Sequence, residues 1–191
     1  MSLKKYVEKR KFDRTPEPAP GKHKPSPSHA PQFCVQRHRA SRLHYDFRLQ
    51  VDDVLKSWAV PKGPTLDPTV KRLAVLVEDH PLDYGGFEGV IPEGNYGAGS
   101  VMLWDRGAYE LLGDASAGEQ LARGDFKFRL AGQKLSGEFA LVQLKGSQMR
   151  GKGNEWLLIK KKDASARPGW DPEEHAKSVL TGRTQEEIAS E

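Results

Sequence analysis

The sequence predicts an all-β sandwich or barrel, and three observations carry that expectation. From Gln32 onward, apolar residues come in short runs separated by Gly, Pro, Asn and Asp turn signals. Several runs alternate polar and apolar residues, as a strand with one buried face does. Helical spacing is confined to brief stretches around 115–123 and near the C-terminus.

Before that body lies a different composition. Residues 13–31 hold Pro16, Pro18, Pro20, Pro25, Pro27 and Pro31. Such a segment cannot keep a helix or a central strand, so 1–31 is expected to be a flexible, basic, Pro-rich arm. The folded domain then covers 32–163, with 164–191 as a helical tail or the start of a linker.

Candidate strands are 33–37, 43–51, 54–60, 73–78, 100–105, 109–112, 125–130, 138–144 and 155–161. Asp52-Asp53 offers a tight turn between the second and third. Phe126-Lys127-Phe128-Arg129-Leu130 alternates cleanly and reads as a half-exposed strand. Gly146, Gly151 and Gly153 make 144–155 the loop of a long hairpin. A helix fits 115–123, capped by Asp114 and closed by Gly124. Asp171-Pro172-Glu173-Glu174 opens another, with Pro at its first position. Thr184-Gln185-Glu186-Glu187 matches a capping box, but too few residues follow to sustain an isolated helix.

The 191 residues suit one domain with tails. No run of eighteen apolar residues and no apolar stretch near the N-terminus argue against a membrane span and a secretory signal. The single cysteine, Cys34, excludes an internal disulfide and a multi-cysteine zinc site. Within Phe33-Cys34-Val35 it reads as a small buried hydrophobe, suited to a reducing cytoplasm. Net charge is +4, compatible with a nucleic-acid partner and with many ordinary basic proteins. Cations cluster at Lys4, Lys5, Lys9, Arg10, Lys11, Arg14, Lys22 and Lys24, and again at Lys145, Arg150, Lys152 and 160–162. Such clusters can track a polyanion backbone or simply form solvated faces.

Chemistry concentrates in His38-Arg39-Ala40-Ser41-Arg42-Leu43-His44-Tyr45-Asp46-Phe47-Arg48. On a strand, His44, Asp46 and Arg48 share one face while Tyr45, Phe47 and Leu49 hold the other on a core. Two imidazoles and a carboxylate can bind a divalent metal, with His38 coming round from the turn before the strand. Arg48, one strand step further, can grip a phosphate. Glu78-Asp79-His80-Pro81-Leu82-Asp83-Tyr84 adds a histidine just past a strand end and a tyrosine four residues on. These can serve an oxyanion or act as a general acid, or can merely pack the loop. The six-glycine run 84–99 lacks the Gly-Lys-Ser/Thr of a P-loop and the following helix of a dinucleotide site. No Gly-x-Ser-x-Gly elbow is present.

Several blocks closely resemble the 3′-phosphoesterase domain of bacterial ATP-dependent DNA ligase D. They are Lys9-Arg10-Lys11-Phe12 with Thr15-Pro16-Glu17-Pro18, 33–49, Trp58-Ala59-Val60-Pro61-Lys62-Gly63-Pro64, 78–84, Glu88-Gly89-Val90-Ile91-Pro92 and Ser178-Val179-Leu180-Thr181-Gly182-Arg183-Thr184. The resemblance implies a single small β-barrel of eight or nine strands with a few short flanking helices. It also implies an enzyme of non-homologous end joining that needs Mn²⁺, or Co²⁺ or Zn²⁺ in its place. The family removes a 3′-terminal ribonucleoside and then the 3′-phosphate, leaving a 3′-OH. Its substrates are DNA or RNA–DNA primer-template 3′ ends, and ligase and polymerase domains and the Ku end-binding protein are the implied partners.

By the same resemblance His38, His44 and Asp46 are metal ligands, and Arg48, His80 and Tyr84 grip phosphate and handle protons. Gln36 and Glu78 match supporting positions, and Arg10 and Glu17 match functional positions in the arm. One departure stands out: some relatives carry an aspartate directly after the arm arginine, where this chain has Lys11. Two other classes are compatible with parts of the pattern. A non-catalytic DNA-end binding module needs no metal ligands, and a non-haem iron oxygenase leaves Arg48 beside a basic arm unexplained.

Overall fold

The computed structural model describes residues 2–21, 29–146 and 151–191. Lys22, Lys24, Pro25, Pro27 and Arg150 of the sequence reading lie outside the described residues.

Among the described residues ten strands follow one another: β1 (Gln32–Arg39), β2 (Leu43–Val51), β3 (Val54–Val60), β4 (Lys71–Leu76), β5 (His80–Pro81), β6 (Gly89–Ile91), β7 (Gly99–Leu111), β8 (Asp125–Gly132), β9 (Ser136–Gln143) and β10 (Glu155–Lys160). Eight of them pair antiparallel in the order β1-β2-β3-β4-β10-β9-β8-β7, and β7 returns to β1, which closes the barrel and removes the sheet edges. The remaining two are short: β5 pairs with β3 and β6 with β7. Expectation and structure agree on a mainly-β barrel with few short helices. The β2–β3 hairpin turns at Asp52, which takes φ +54°, a conformation that aspartate tolerates in a two-residue turn.

Strand alternation divides the apolar residues into two cores. Tyr45, Phe47, Leu49, Trp58, Trp104, Phe128 and Trp156 fill the barrel interior. A second cluster, Tyr6, Leu55, Tyr84, Phe87, Ile91 and Val101, lies against the outer side of the wall, because Leu55 alternates with the inward Trp58 side of β3. The candidate site sits on that outer side.

Several expectations are corrected. Residues 100–105 and 109–112 belong to one strand, β7, because Gly107 continues the ladder instead of turning. A Cβ there would lie 2.1 Å from the Ala131 carbonyl oxygen, so glycine lets β7 and β8 approach. The 115–123 helix starts later, as α2 (Ala117–Arg123), with Ser116 rather than Asp114 as cap and a full capping box with Glu119. Gly124 closes it in the left-handed region at φ 72°, as expected. The Asp171–Glu174 signal yields a 3₁₀ turn, Pro172–His175.

Both chain ends pack more closely than their sequences suggest. Thr184 caps a real helix, α3 (Gln185–Ala189), held by tertiary contacts: Ile188 is buried, and Gln185 bonds Ser100 and Arg37. At the other end, α1 (Lys4–Glu8) lies against the barrel rather than standing off as an arm. Its Tyr6 is fully buried and its hydroxyl donates to the Pro18 carbonyl at 2.7 Å. Burying such a side chain contributes roughly 1.5–3 kcal/mol, enough to dock a helix too short to form alone.

Candidate active site

The three metal-type ligands come together through the register of one hairpin. β1 and β2 pair His38 directly with His44 and Gln36 with Asp46, so these side chains stand side by side on the outer face. His38 therefore belongs to strand β1 and does not come round from the turn, as the sequence had suggested. One nitrogen or oxygen from each of His38, His44 and Asp46 lies within 4.8 Å of the others.

Backbone carbonyls fix which ring nitrogens are available. His38 Nε2 lies 2.7 Å from the Gly97 carbonyl oxygen and His44 Nδ1 3.1 Å from that of Arg42. A carbonyl only accepts, so each of those nitrogens carries the proton. In the neutral rings, His38 Nδ1 and His44 Nε2 then turn lone pairs toward Asp46 Oδ2, at 3.5 and 3.4 Å. These distances exceed the roughly 2.7–2.9 Å of a charge-assisted hydrogen bond. They suit three donors arranged around one cation, with the outer N–H groups orienting the rings as metal-bound histidines require. The donor set therefore fits a divalent transition metal.

Charge supports the same arrangement. Burial opposes ionisation of Asp46, but Arg48 and then the neighbouring His38 and His44 rings hold its carboxyl well below the usual carboxylate range. Burial also disfavours a charged His44, yet the Asp46 contact outweighs it and raises the imidazole.

Arg48 is buried next to the triad and is gripped from behind. Its Nε donates to Gln36 Oε1 at 2.7 Å and its Nη1 to Ser57 Oγ at 2.8 Å, while Nη2 stands 3.5 Å from Asp46. Gln36 in turn donates through Nε2 to the carbonyls of Tyr84 and Phe87. It does not line the cavity; it is a buried strut between the guanidinium and the loop that carries Tyr84. Ser57 was missed by sequence reasoning. Its signal was its place on β3 opposite Arg48, in a strand whose boundaries the sequence did reveal.

His80 Nδ1 donates to the Glu78 carbonyl at 2.9 Å, which leaves Nε2 to face Arg10 Nη2 at 3.4 Å. Burial, then the two nearby guanidinium groups of Arg48 and Arg10, push this imidazole well below its ordinary value. With Nδ1 donating to the Glu78 carbonyl, Nε2 turns a lone pair toward the Arg10 guanidinium. Tyr84 lies under Arg48, whose Cζ is 4.9 Å from the ring centre. Its hydroxyl donates to Glu17 Oε1 at 2.8 Å, and burial followed by Glu17 raises it well above the ordinary phenol.

The N-terminal segment completes the site. Arg10 Nε donates to Glu17 Oε1 at 2.9 Å, and its Nη1 lies 3.6 Å from Glu78 Oε1. Glu78 also accepts from Lys9 Nζ at 3.1 Å, which reaches the Tyr96 hydroxyl at 3.3 Å. Together these groups line a cavity of about 320 Å³ containing Arg10, Glu17, His38, His44, Asp46, Arg48, Glu78, His80 and Tyr84. Every sequence-derived site residue except Gln36 is on that lining.

One expected charge is not where a polyanion would meet it: Lys160 is buried against Asp163 at 2.7 Å. Arg10 lines the cavity but is held between Glu17 and Glu78. Lys11 is exposed and away from the cavity lining. Lys9 and Tyr96, which the sequence reading did not assign to the site, stand at the cavity rim.

Comparisons with known proteins show the family of the chain. The family model for the DNA Ligase D 3′-phosphoesterase domain matches residues 36–143. The chain is 53% identical over 185 residues to the multifunctional non-homologous end joining protein LigD of Pseudomonas aeruginosa, covering 95% of this chain and 21% of that protein. It is 42% identical over 164 residues to the multifunctional non-homologous end joining DNA repair protein LigD of Mycobacterium tuberculosis, covering 84% and 20%. With the LigD protein of Mycolicibacterium smegmatis it shares 40% identity over 171 residues, covering 87% and 21%. The chain thus spans about a fifth of the length of these relatives.

Proposed function

Since this chain belongs to the DNA Ligase D 3′-phosphoesterase domain family, we propose that it is a metal-dependent hydrolase that heals the 3′ ends of broken DNA. The reading rests above all on the two histidines whose outer N–H groups are tied to carbonyls, so that their lone pairs face Asp46 beside the buried Arg48. A pure binding module has no use for that arrangement.

His38, His44 and Asp46 would hold the ion, Mn²⁺ by family resemblance. When bound there, a divalent cation neutralises a phosphoryl oxygen and lowers the pKa of a water molecule. Arg48, held by Gln36 and Ser57, meets the phosphate with a fixed guanidinium and offsets negative charge growing in the transition state. His80 approaches as a neutral imidazole. A phosphate entering between Arg48 and Arg10 offsets the two cations, which lets Nε2 take a proton and hydrogen-bond the phosphate or the leaving oxygen. Tyr84 can turn its hydroxyl from Glu17 to the same phosphate.

In the first step the bond from phosphorus to the 5′-oxygen of the terminal ribonucleoside breaks. Water oxygen joins phosphorus, and a 3′-phosphate remains. In the second, that phosphate is hydrolysed to leave a 3′-OH. The setting is cytoplasmic, on DNA or RNA–DNA primer-template ends, alongside ligase and polymerase domains and the Ku protein.

The test is incubation with Mn²⁺ and duplexes ending in one 3′-ribonucleotide or a 3′-phosphate. Shortening by one nucleoside and release of inorganic phosphate are expected, with both lost in His44→Ala. Salt-sensitive DNA binding with no turnover by folded, metal-loaded protein would refute the enzymatic reading.

A further inference from the structure

The cavity is phosphate-sized, yet a diester substrate also brings a terminal nucleoside that must lie at its mouth. Tyr96 stands at that mouth. Among the described residues it is the only aromatic in the set of exposed large hydrophobic side chains, with 50% of its surface open, and it lines the cavity. Its segment joins β6 to β7, and the next residue, Gly97, supplies the carbonyl that orients His38. The backbone beside the ring is therefore tied to His38 of the triad.

The surroundings of the ring suit a nucleobase. Lys9 Nζ lies 4.6 Å from its centre and bonds its hydroxyl at 3.3 Å, and Arg10 Cζ lies 5.5 Å from the centre. Lys9 is itself anchored on Glu78 at 3.1 Å, so the ring is braced on one side while half of it stays open. An exposed aromatic face beside anchored cations is the usual platform for an unpaired base, and it accepts any base because all share a π-face.

We propose that Tyr96 is a stacking platform for the 3′-terminal nucleobase, a subsite used by the diester step and not by removal of a bare phosphate. This rests on the phosphoesterase reading. It goes further by giving the leaving nucleoside a binding place and by assigning the difference between the two substrates to one side chain.

Two experiments decide it. The first compares kcat/KM of wild type, Tyr96→Ala and Tyr96→Phe on ribonucleotide-terminated and 3′-phosphate-terminated duplexes. Tyr96→Ala should lower the diester value by roughly 5- to 150-fold, the range seen when base-stacking aromatics are truncated. The monoester value should stay within about twofold of wild type, because no base is stacked there. Tyr96→Phe keeps the ring and should retain most diester activity. Equal losses on both substrates, or a loss in Tyr96→Phe matching that in Tyr96→Ala, would overturn the proposal in favour of a role through Lys9 or the Gly97 loop.

The second uses a duplex whose 3′-terminal base is 2-aminopurine, with chelator present so that nothing turns over. Stacking should quench its fluorescence in wild type and Tyr96→Phe and leave it unquenched in Tyr96→Ala. Equal quenching by all three proteins would overturn the proposal. This arm reads the subsite even if hydrolysis is absent, so failure of the stacking idea and failure of the enzymatic reading give different results.

Discussion

Replacing Gln36 by alanine removes a strut with three attachments. Gln36 is fully buried, accepts from the Arg48 guanidinium at 2.7 Å, and donates to the Tyr84 and Phe87 carbonyls at 2.8 and 2.9 Å. A hydrogen bond to a charged group contributes about 1.5–3 kcal/mol and a neutral one about 0.5–1.5 kcal/mol, so the loss should total about 2.5–6 kcal/mol. For a chain of this size, 1 kcal/mol corresponds to about 2–4 °C, which places the fall in Tm at about 5–24 °C. Gln36→Glu separates the two ends of the strut. It keeps an oxygen for Arg48 but presents a second oxygen to two carbonyls, so it should melt early as well. Assayed below both melting points, it should recover more phosphoesterase activity than Gln36→Ala, because Arg48 stays held. Thermal melting by circular dichroism and initial rates on both substrates provide the readout. A Tm for Gln36→Ala within about 2 °C of wild type would refute the stability argument. Equal activity in the two variants would refute positioning through Arg48.

Arg48→Lys replaces a planar fork by a point charge that cannot serve Gln36 and Ser57 together. It should cost roughly 100-fold or more in kcat on both substrates, and a loss under tenfold would remove Arg48 from transition-state stabilisation. Burial pushes the Cys34 thiol up to about 12, so native protein at pH 8 keeps it as the thiol, and it should resist a thiol reagent until unfolded. A group with a raised folded pKa contributes stability that is complete below its unfolded value, near 8.5, and is lost as pH rises toward the folded one. Cys34→Ala should therefore flatten the alkaline fall in stability above about pH 8.5, and an unchanged slope in chemical denaturation would count against it. Asp105 accepts from the backbone N–H groups of Gln133, Lys134 and Leu135 at 2.9, 3.1 and 2.8 Å. Asp105→Ala orphans all three and should cost about 3–5 kcal/mol in urea unfolding; under 1 kcal/mol would show that the turn relaxes onto other partners.

Much of the site was legible because it lies on the most regular part of the chain. β2 and β3 run over 43–51 and 54–60, as their alternation and turn indicate, and the shared face of His44, Asp46 and Arg48 follows from the strand period alone. The place of His38 did not follow, since its strand continues two residues past the apolar run and no pattern marks that extension. β6 was hidden in a glycine-rich run, where tertiary pairing with β7 overrides weak propensity. The docking of residues 2–21 was invisible for a related reason. Prolines announce an extended path, but only the fold supplies the Glu78, His80 and Tyr84 surfaces on which Arg10 and Glu17 come to rest.

From Tyr45 to Leu49, β2 presents no side chain to solvent on either side. Tyr45, Phe47 and Leu49 fill the interior, while Asp46 and Arg48 build the site outside. Such a strand has no silent position: each substitution there disturbs either the packing or the chemistry, and a slip by one residue disturbs both at once. In a library covering every position, 45–49 should therefore tolerate the fewest replacements, and variants with new substrates should arise at the rim, around Lys9 and Tyr96, where a change alters what is bound without unsettling the barrel.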